Sequence, residues 1–429
     1  MQEFFGNKVV PIIMKFVSLK GVVALKDGLL YTMPLSIVGS VFLLLANFPV
    51  QAVVDWLSSM GWMDPLNQAY GATFNISALV AVVGIAYEYV KKEGYQALNA
   101  GVLGFVVFLI TTNSFVVAES GEVVSNVIDK TWTAGQGMIT AIVIGLIVGW
   151  VYSWFMKHDI RIKMPAGVPE GVANSFTALI PAFAIITGAT LVYSFFKFVL
   201  DTTFIEAVYT VIQTPLQGMT DSLGGVIMMT FLTPFLWWFG VHGSTIVGGI
   251  MGPLLGANAL ANQAILDSGM ALTIENGGHI VTGQFIDQFI TVTGAGLTIG
   301  LVTYMIFFAK SKQCKELGKL GGVPGIFNIN EPILFGTPIV MNPFLALPFI
   351  GMPVLSGIIT YFALATGLVP LFSAITVPWT TPPIVSGFII GGWRAALLQA
   401  VILVLSFFAY LPFIRKIDKM NFEAEKAAK

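Results

Sequence analysis

The chain has 429 residues, of which 56% are hydrophobic and 10% are charged, and its formal net charge is −1 at pH 7. Soluble domains carry about 25% charged residues, so this chain has too few polar groups to cover a water-soluble fold of its size. Its mean hydropathy is +0.85. The composition excludes an ordinary soluble protein and predicts an all-α polytopic membrane protein, surrounded by lipid and without a nucleic-acid partner.

The N-terminal range Phe4–Leu19 mixes Phe, Val and Ile with Lys8 and Lys15. This mixture predicts an amphipathic helix that lies on the membrane surface before the first span. The first apolar run starts late and is too long for the core of a cleaved signal, so we expect it to remain as an anchor.

A helix needs roughly 20 mostly apolar residues to cross a bilayer. Eight stretches satisfy this requirement: Gly28–Phe48, Ala72–Val90, Leu98–Val117, Gly137–Met156, Phe176–Leu200, Ile286–Ala309, Leu345–Leu368 and Ala395–Phe413. Two more contain Gly and Pro but are apolar enough to cross: Gly224–Phe239 and Thr245–Ile265. Together these stretches predict about ten transmembrane helices.

The positions of Lys and Arg predict the orientation, because these residues are retained on the cytoplasmic side during insertion. Of the 21 basic residues, 18 lie in five segments: 1–26, 91–96, 157–170, 310–319 and 415–429. The intervening loops hold Lys130 and ten carboxylates. We expect both termini, Lys163 and Lys315 in the cytoplasm, with Glu122 and Asp267 outside.

The two halves of the chain differ in character. Residues 1–200 contain uninterrupted apolar spans separated by polar loops. This pattern predicts an N-terminal membrane domain that consists of an amphipathic helix and five spans. Residues 201–429 have Gly and Pro scattered through apolar sequence, above all in Trp237–Gly256, Gly321–Pro343 and Val369–Gly392. Irregular backbone at membrane depth is tolerated only where protein buries it or where it lines a watery cavity.

The second half is therefore the predicted substrate-binding domain. The stretches 321–343 and 369–392 are predicted to be two re-entrant hairpins. Two ordinary helices kinked at proline are the alternative, and the topology is the same in either case.

Ionisable groups within apolar segments are costly, so each is a candidate for function. Four have adequate structural explanations. Glu88 is spaced to pair with Lys91 and Lys92, Lys197 and Arg394 are near outer span ends, and Asp287 is near the start of its span. His242 and Glu331 lack such explanations, and they are the predicted ligand-binding pair.

The residues near this pair suit an uncharged ligand rich in hydroxyl groups. Carboxylate, imidazole and amide groups exchange hydrogen bonds with hydroxyls, which adds Asn328 and Asn330 to Glu331 and His242. Trp237 and Trp379 offer flat apolar faces to a sugar ring, although tryptophan is also common at membrane interfaces. A structural network within the hairpin is the alternative reading of the polar run around Glu331.

Other chemistry has little support in the sequence. The single cysteine, Cys314, lies among lysines and is expected to be an exposed thiol outside any disulfide or metal site. There is no Gly-rich phosphate loop with Lys and Ser or Thr. We expect no cofactor and no metal.

The segments Gly240–Val241–His242–Gly243 and Phe327–Asn328–Ile329–Asn330–Glu331–Pro332–Ile333–Leu334–Phe335–Gly336 resemble signatures of a known family. The family is that of the enzyme IIC permeases of the bacterial phosphotransferase system, in the lactose, cellobiose and diacetylchitobiose branch. The resemblance covers essentially the whole chain, including Trp379–Thr380–Thr381–Pro382–Pro383.

The resemblance implies a multi-pass protein of the bacterial cell membrane that binds a disaccharide and carries it inward. The sugar 6-hydroxyl is then phosphorylated by a phosphocysteine of a IIB protein, and IIB receives this phosphoryl group from IIA. It further implies ten spans, two hairpins, a homodimer joined through the N-terminal half, and His242 and Glu331 as the sugar-binding pair. Because no IIB domain is evident, we expect IIB and IIA on separate chains and no catalysis by the isolated chain.

Two other functions remain open from the sequence. A symporter that couples sugar to protons or sodium would share the broken helices, with Glu331 or Asp287 as the ion site. A membrane enzyme without transport is less favoured, because no catalytic constellation beyond His242 and Glu331 is present. The identity of the sugar is not predicted.

Overall fold

The computed structural model describes residues 15, 18–46, 48, 51–118, 122–165, 167–240, 242–337, 339–340 and 342–427. Most of the predicted amphipathic helix at Phe4–Leu19 lies outside these residues, as does Val241. Within them the fold is all-α except for one short antiparallel hairpin of β1 (Phe115–Val117) and β2 (Val123–Ser125), in which Val116 pairs with Val124. The chain divides into two compact units, one ending at Gln217 and the next starting at Gly218.

The helices of the first unit, in chain order, are α1 (Lys20–Leu29), α2 (Met33–Ala46), α3 (Gln51–Ser59), α4 (Met63–Thr73), α5 (Ser77–Lys92), α6 (Leu98–Ile110), α7 (Lys130–Thr133), α8 (Met138–Lys157), α9 (Glu170–Thr177), α10 (Leu179–Val199), α11 (Phe204–Val208) and α12 (Thr214–Thr220), the last of which crosses the boundary between the units. A π-helical turn at Tyr209–Gln213 joins the last two of these helices. Gln213 donates to the Gly135 carbonyl at 2.9 Å, so residues beyond 200 also pack within this unit.

Small residues allow the helices of this unit to pack closely, as is common in membranes. A Cβ at Gly145 of α8 would lie 2.8 Å from the Ile85 Cβ of α5, and a Cβ at Gly28 would lie 2.5 Å from the Ile85 backbone. Glu88 is buried and forms the predicted local ion pair with Lys91 at 2.9 Å. Lys92 instead pairs with Asp27 at 3.1 Å.

The helices of the second unit are α13 (Leu223–Trp238), α14 (Gly243–Asp267), α15 (Gly283–Phe285), α16 (Ile299–Phe307), α17 (Lys312–Ile326), α18 (Glu331–Gly336), α19 (Pro343–Ala365) and α20 (Val385–Ala427). A π-helical turn at Ile286–Ile290 follows α15. The helix α20 has non-helical backbone at Gly391 and Gly392. Two buried apolar clusters, centred on Phe289 with Phe372 and on Phe349 with Tyr410, form the core.

Two of the predicted spans are not continuous helices. In Leu98–Val117 the helix ends at Ile110, because the polar run from Thr111 to Ser114 turns the chain into the β-hairpin. In Ile286–Ala309 the chain unwinds between residues 291 and 298, where Thr293, Gly294, Gly296 and Leu297 have positive φ.

Seven described helical runs are long and apolar enough to cross a membrane, or eight if one bent helix pair is a single span. The shorter α6 and the interrupted segment 283–307 are the further candidates that would bring the number to the predicted ten. This protein is therefore an all-α polytopic membrane protein. The two predicted hairpin regions have the broken backbone expected of them, and their re-entrant placement stays a prediction.

Candidate functional site

His242 caps the N-terminus of α14. The chain leaves α13 at Trp238 and turns at Gly240, where φ is +79°. The His242 Nδ1 accepts from the Thr245 backbone N–H at 3.2 Å and lies 2.8 Å from Thr245 Oγ1. A backbone N–H can only donate, so in the neutral ring the proton resides on Nε2. The exposed His242 ring therefore offers an Nε2–H donor to a ligand.

Trp237 supports the His242 ring. The two ring centroids are 4.2 Å apart, and the indole is only 7% exposed. Its Nε1 faces Ser244 Oγ at 3.4 Å. Because most of the indole surface is covered, little of it is available to stack on a sugar. Its contact with the imidazole suits it better to orienting the His242 ring.

Glu331 occupies the first position of α18, directly after the turn that follows α17. Its side chain is exposed, and within the described part of the chain no hydrogen-bond or ion-pair partner contacts its carboxylate. The side chain protrudes from the first helical turn, and its carboxylate is free to accept a proton or a hydroxyl group.

Asn328 and Asn330 use their amide groups within the protein. Asn328 donates to the carbonyls of Trp379 at 2.5 Å and Thr381 at 3.0 Å, and it accepts from the Thr293 N–H at 2.6 Å. Asn330 donates to the Ala295 carbonyl at 2.7 Å and to Thr298 Oγ1 at 2.8 Å. These contacts are those of a structural network, the alternative that the sequence left open, while a sugar-binding role for the two amides stays a prediction.

Trp379 differs from Trp237 in its exposure. The Trp379 side chain is 55% exposed, while its carbonyl is fixed by Asn328. The loop that carries it is thus anchored through its backbone, and its indole is free to stack on a ligand. Trp379 is the better candidate of the two for the apolar face of a sugar.

The elements that carry His242 and Glu331 pack together. Trp238 next to the His242 turn donates through Nε1 to the Asn342 carbonyl at 2.9 Å, beyond the end of α18. Trp237 shares one buried cluster with Ile333 and Leu334 of α18. No direct contact joins the imidazole and the Glu331 carboxylate among the described residues.

Asp287 is a further candidate, for which the sequence favoured a structural explanation because of its position near the start of a predicted span. It lies in the π-helical turn at Ile286–Ile290, next to the buried Gln288. Its side chain is exposed, and its carboxylate has no bonding partner in the described residues. The available signal was the adjacent polar pair Asp287 and Gln288 inside the predicted apolar span Ile286–Ala309.

Comparison with known proteins identifies the family. The family described as "Phosphotransferase system, EIIC" matches residues 26–353. The lichenan permease IIC component of Bacillus subtilis is 37% identical, over 99% of this chain and 95% of that protein. The chain belongs to the EIIC family of the phosphotransferase system.

Two further matches agree with this assignment. The cellobiose-specific EIIC component of Geobacillus stearothermophilus is 36% identical, over 98% of this chain and 95% of that protein. The crystal structure of ChbC, the IIC component of an N,N'-diacetylchitobiose-specific system, is similar with a TM-score of 0.93 and 37% identity over 99% of each chain.

This EIIC protein is therefore a multi-pass sugar permease that works with IIB and IIA components. The predicted family and function are confirmed, and the assignment supports the phosphotransferase reading over an ion-coupled symporter.

Proposed function

We propose that this permease carries a β-linked glucose disaccharide of the cellobiose type. It presents the sugar 6-hydroxyl to the phosphocysteine of a IIB protein on a separate chain, which a separate IIA recharges. One observation carries the proposal: an exposed imidazole with a free Nε2–H and the unpartnered Glu331 carboxylate flank one packed cluster. The lichenan and cellobiose permeases that this chain resembles support the choice of sugar.

In the proposed reaction, the sugar O6–H bond breaks and its proton passes to the Glu331 carboxylate. The O6 oxygen forms a bond to phosphorus while the phosphorus–sulfur bond of IIB breaks and the cysteine thiolate leaves. Positioning of the hydroxyl in line with the leaving sulfur supplies most of the acceleration in such transfers. The base removes the proton as the new bond forms.

The other residues of the site orient the sugar. His242 donates from Nε2 to a ring or hydroxyl oxygen, and Asp287 accepts from hydroxyl groups. Trp379 covers an apolar ring face. Asn328 and Asn330 hold the surrounding backbone, and Trp237 fixes the imidazole plane. An anionic substrate is disfavoured, since two unpartnered carboxylates would face it.

We also propose the assembly and orientation implied by the family resemblance. The protein is a homodimer joined through its first unit, surrounded by membrane lipid, with both termini in the cytoplasm. The basic segment 310–319 belongs to the surface that docks IIB.

A transport experiment tests this function. Vesicles that contain the protein, loaded with phosphoenolpyruvate, enzyme I, HPr, IIA and IIB, should accumulate cellobiose phosphate. Omission of IIB should abolish accumulation, and an ionophore should not reduce it. Accumulation of free cellobiose that an ionophore collapses would instead indicate a symporter, and transport of lactose in preference to cellobiose would correct the substrate.

A further inference from the structure

A stripe of polar side chains runs along one face of α20. Gln399, Ser406 and Tyr410 are spaced by seven and four residues, which places them on the same side of a helix. All three are fully buried. Each binds backbone groups of the interrupted segment 283–307, and we call these three residues the polar stripe.

The C-terminal part of the stripe binds the unwound backbone between residues 291 and 298 and the first turn of α16. Ser406 Oγ donates to the Leu297 carbonyl at 2.5 Å and accepts from the Gly300 N–H at 3.1 Å. Tyr410 donates to the Gly296 carbonyl at 2.7 Å. Because lipid cannot satisfy backbone groups that a helix has released, these bonds make the unwound conformation possible at membrane depth.

Gln399 uses both donors and both acceptor positions of its amide. Its Nε2 donates to the Gln288 carbonyl at 2.8 Å and to Ser386 Oγ at 2.9 Å. Its Oε1 accepts from the Ile384 N–H at 2.6 Å and the Gly387 N–H at 3.0 Å. One side chain thus joins the turn that carries Asp287 to the end of the loop that carries Trp379.

The two parts of the stripe lead to different site residues. The backbone held by Ser406 and Tyr410 adjoins Ala295 and Thr298, to which Asn330 bonds. Asn330 directly precedes Glu331. The path from Tyr410 therefore reaches the proposed base through Asn330, while Asn328, which accepts from the Thr293 N–H, also links this backbone to the Trp379 carbonyl. The path from Gln399 reaches Asp287 and the far end of the Trp379 loop, which are proposed to hold the sugar.

We infer that the polar stripe consists of positioning residues with divided roles: Gln399 sets sugar affinity, and Ser406 with Tyr410 set the rate of phosphoryl transfer. This inference rests on the proposed function, because it assigns the two paths to binding and to transfer. None of the three touches the sugar. They act through the segment 283–307 and the two loops that pack against it.

Steady-state kinetics of cellobiose phosphorylation, with saturating IIB, tests the division. Gln399→Leu removes all four hydrogen bonds of the amide and should raise KM by about tenfold with little change in kcat. Tyr410→Phe and Ser406→Ala should lower kcat by a similar factor with little change in KM. With kcat expressed per folded protein, changes of similar size in KM and kcat for all three variants would overturn the inference.

Two variants provide matched controls. Tyr304→Phe removes a tyrosine hydroxyl that contacts Asp418 at 3.2 Å, away from the unwound backbone. Gln213→Leu removes a buried glutamine that bonds to Gly135 in the first unit. Both should keep KM and kcat within about twofold of the parent. A kinetic effect of either control as large as that of the stripe variants would assign the stripe effect to general destabilisation.

A third variant separates the effect of the hydrogen bond donated by Gln399 from the effect of its side-chain packing. Gln399→Glu keeps the acceptor for Ile384 and Gly387, but it can donate to the Gln288 carbonyl only when protonated. Its cellobiose KM should therefore fall toward the parent value as the pH is lowered, relative to the parent protein at the same pH. A KM that remains high at every pH contradicts the role of the donated bond.

Hydrogen exchange tests the same inference without a sugar. Tyr410→Phe should speed exchange at residues 296–300, and Gln399→Leu should speed it at residues 384–388, each with little effect at the other range. If the parent fails to phosphorylate cellobiose while these local effects appear, the proposed substrate is wrong and the positioning role stands. Uniform exchange changes across the second unit would refute the positioning role itself.

Discussion

In the segment from Asn328 to Glu331, three neighbouring polar side chains have different surroundings. The two asparagine amides bond to backbone and hydroxyl groups of the protein, whereas the Glu331 carboxylate has no partner in the described residues. An unpartnered carboxylate at the start of a helix is available for a ligand, while the asparagines determine where it is held. This difference leads to separate expectations for substitution.

Glu331→Gln keeps the shape and part of the hydrogen bonding of the side chain but cannot accept a proton. We expect the variant to bind cellobiose measurably and to lose phosphorylation, measured by calorimetry and by vesicle assay. Loss of both together would show that Glu331 is first a ligand. Phosphorylation at the parent rate would mean that the site has been placed wrongly.

His242→Ala removes the Nε2–H donor and the cap of α14. Cellobiose binding should weaken by about 1 to 3 kcal/mol, the cost of leaving a polar partner unpaired. Trp237→Phe is the matched variant, because it keeps an aromatic ring against His242 and should weaken binding less. Parent-like affinity of His242→Ala in calorimetry would remove the imidazole from the site.

Cys314 is buried and not exposed as the sequence predicted. It lies on the face of α17 that also carries Gly318 and Gly321, and a Cβ at Gly318 would approach Met305 Cβ to 2.8 Å. Its Sγ accepts from Asn421 at 3.7 Å. The lysines around it in sequence point to other faces of the helix, so charge in the sequence was a poor guide to exposure.

Burial raises the pKa of the Cys314 thiol, since the thiolate loses its solvation. A maleimide should therefore label the native protein slowly and the denatured protein completely. In a Cys314→Ala background, Lys315→Cys should react quickly, because residue 315 is exposed. Fast labelling of native Cys314 would contradict this packing.

At the scale of elements, hydropathy predicted most helices but not where they break. The predicted span Ile286–Ala309 unwinds because the polar stripe, 109 to 114 residues later in the chain, replaces its lost helical hydrogen bonds. No local pattern reveals such distant partners. His242 and Glu331 could be proposed from sequence motifs alone, whereas Asp287 became a candidate only with the structure, which places it in the π-helical turn before the unwound backbone.

The α17 helix carries charge that its neighbours do not neutralise. Lys319 pairs with Glu316 at 2.9 Å and holds the pKa of that carboxyl below its usual value. Glu425 accepts from the Lys312 and Gln313 N–H groups. The side chains of Lys312 and Lys315 have no ion-pair partner within the described residues and are exposed.

Reversal of these two charges tests the proposed docking surface. Lys312→Glu with Lys315→Glu should lower cellobiose phosphorylation most at low salt and leave cellobiose binding unchanged, because exposed charges mainly alter encounter rates. Lys130→Glu, on the predicted outer side, is the control. Unchanged turnover at low salt would exclude this surface.

For the whole molecule, the orientation can be measured by labelling single cysteines with an impermeant reagent in a Cys314→Ala background. Cysteines at Lys163 and Lys315 should react only from the cytoplasmic side, and those at Glu122 and Asp267 only from outside. The physical reason is the retention of Lys and Arg during insertion. Labelling of position 315 from outside intact cells would contradict the predicted topology of ten spans.

The polar stripe has a consequence for biosynthesis. The Gln288, Gly296 and Leu297 carbonyls reach the membrane 109 to 114 residues before the side chains that satisfy them are made. At about 5 to 20 residues per second, the delay is roughly 5 to 20 s. Lipid cannot satisfy the released backbone during that time. The segment 283–307 must therefore remain hydrated or bound to the translocon during that time. It can adopt its final unwound conformation in the bilayer only after α20 has been synthesised.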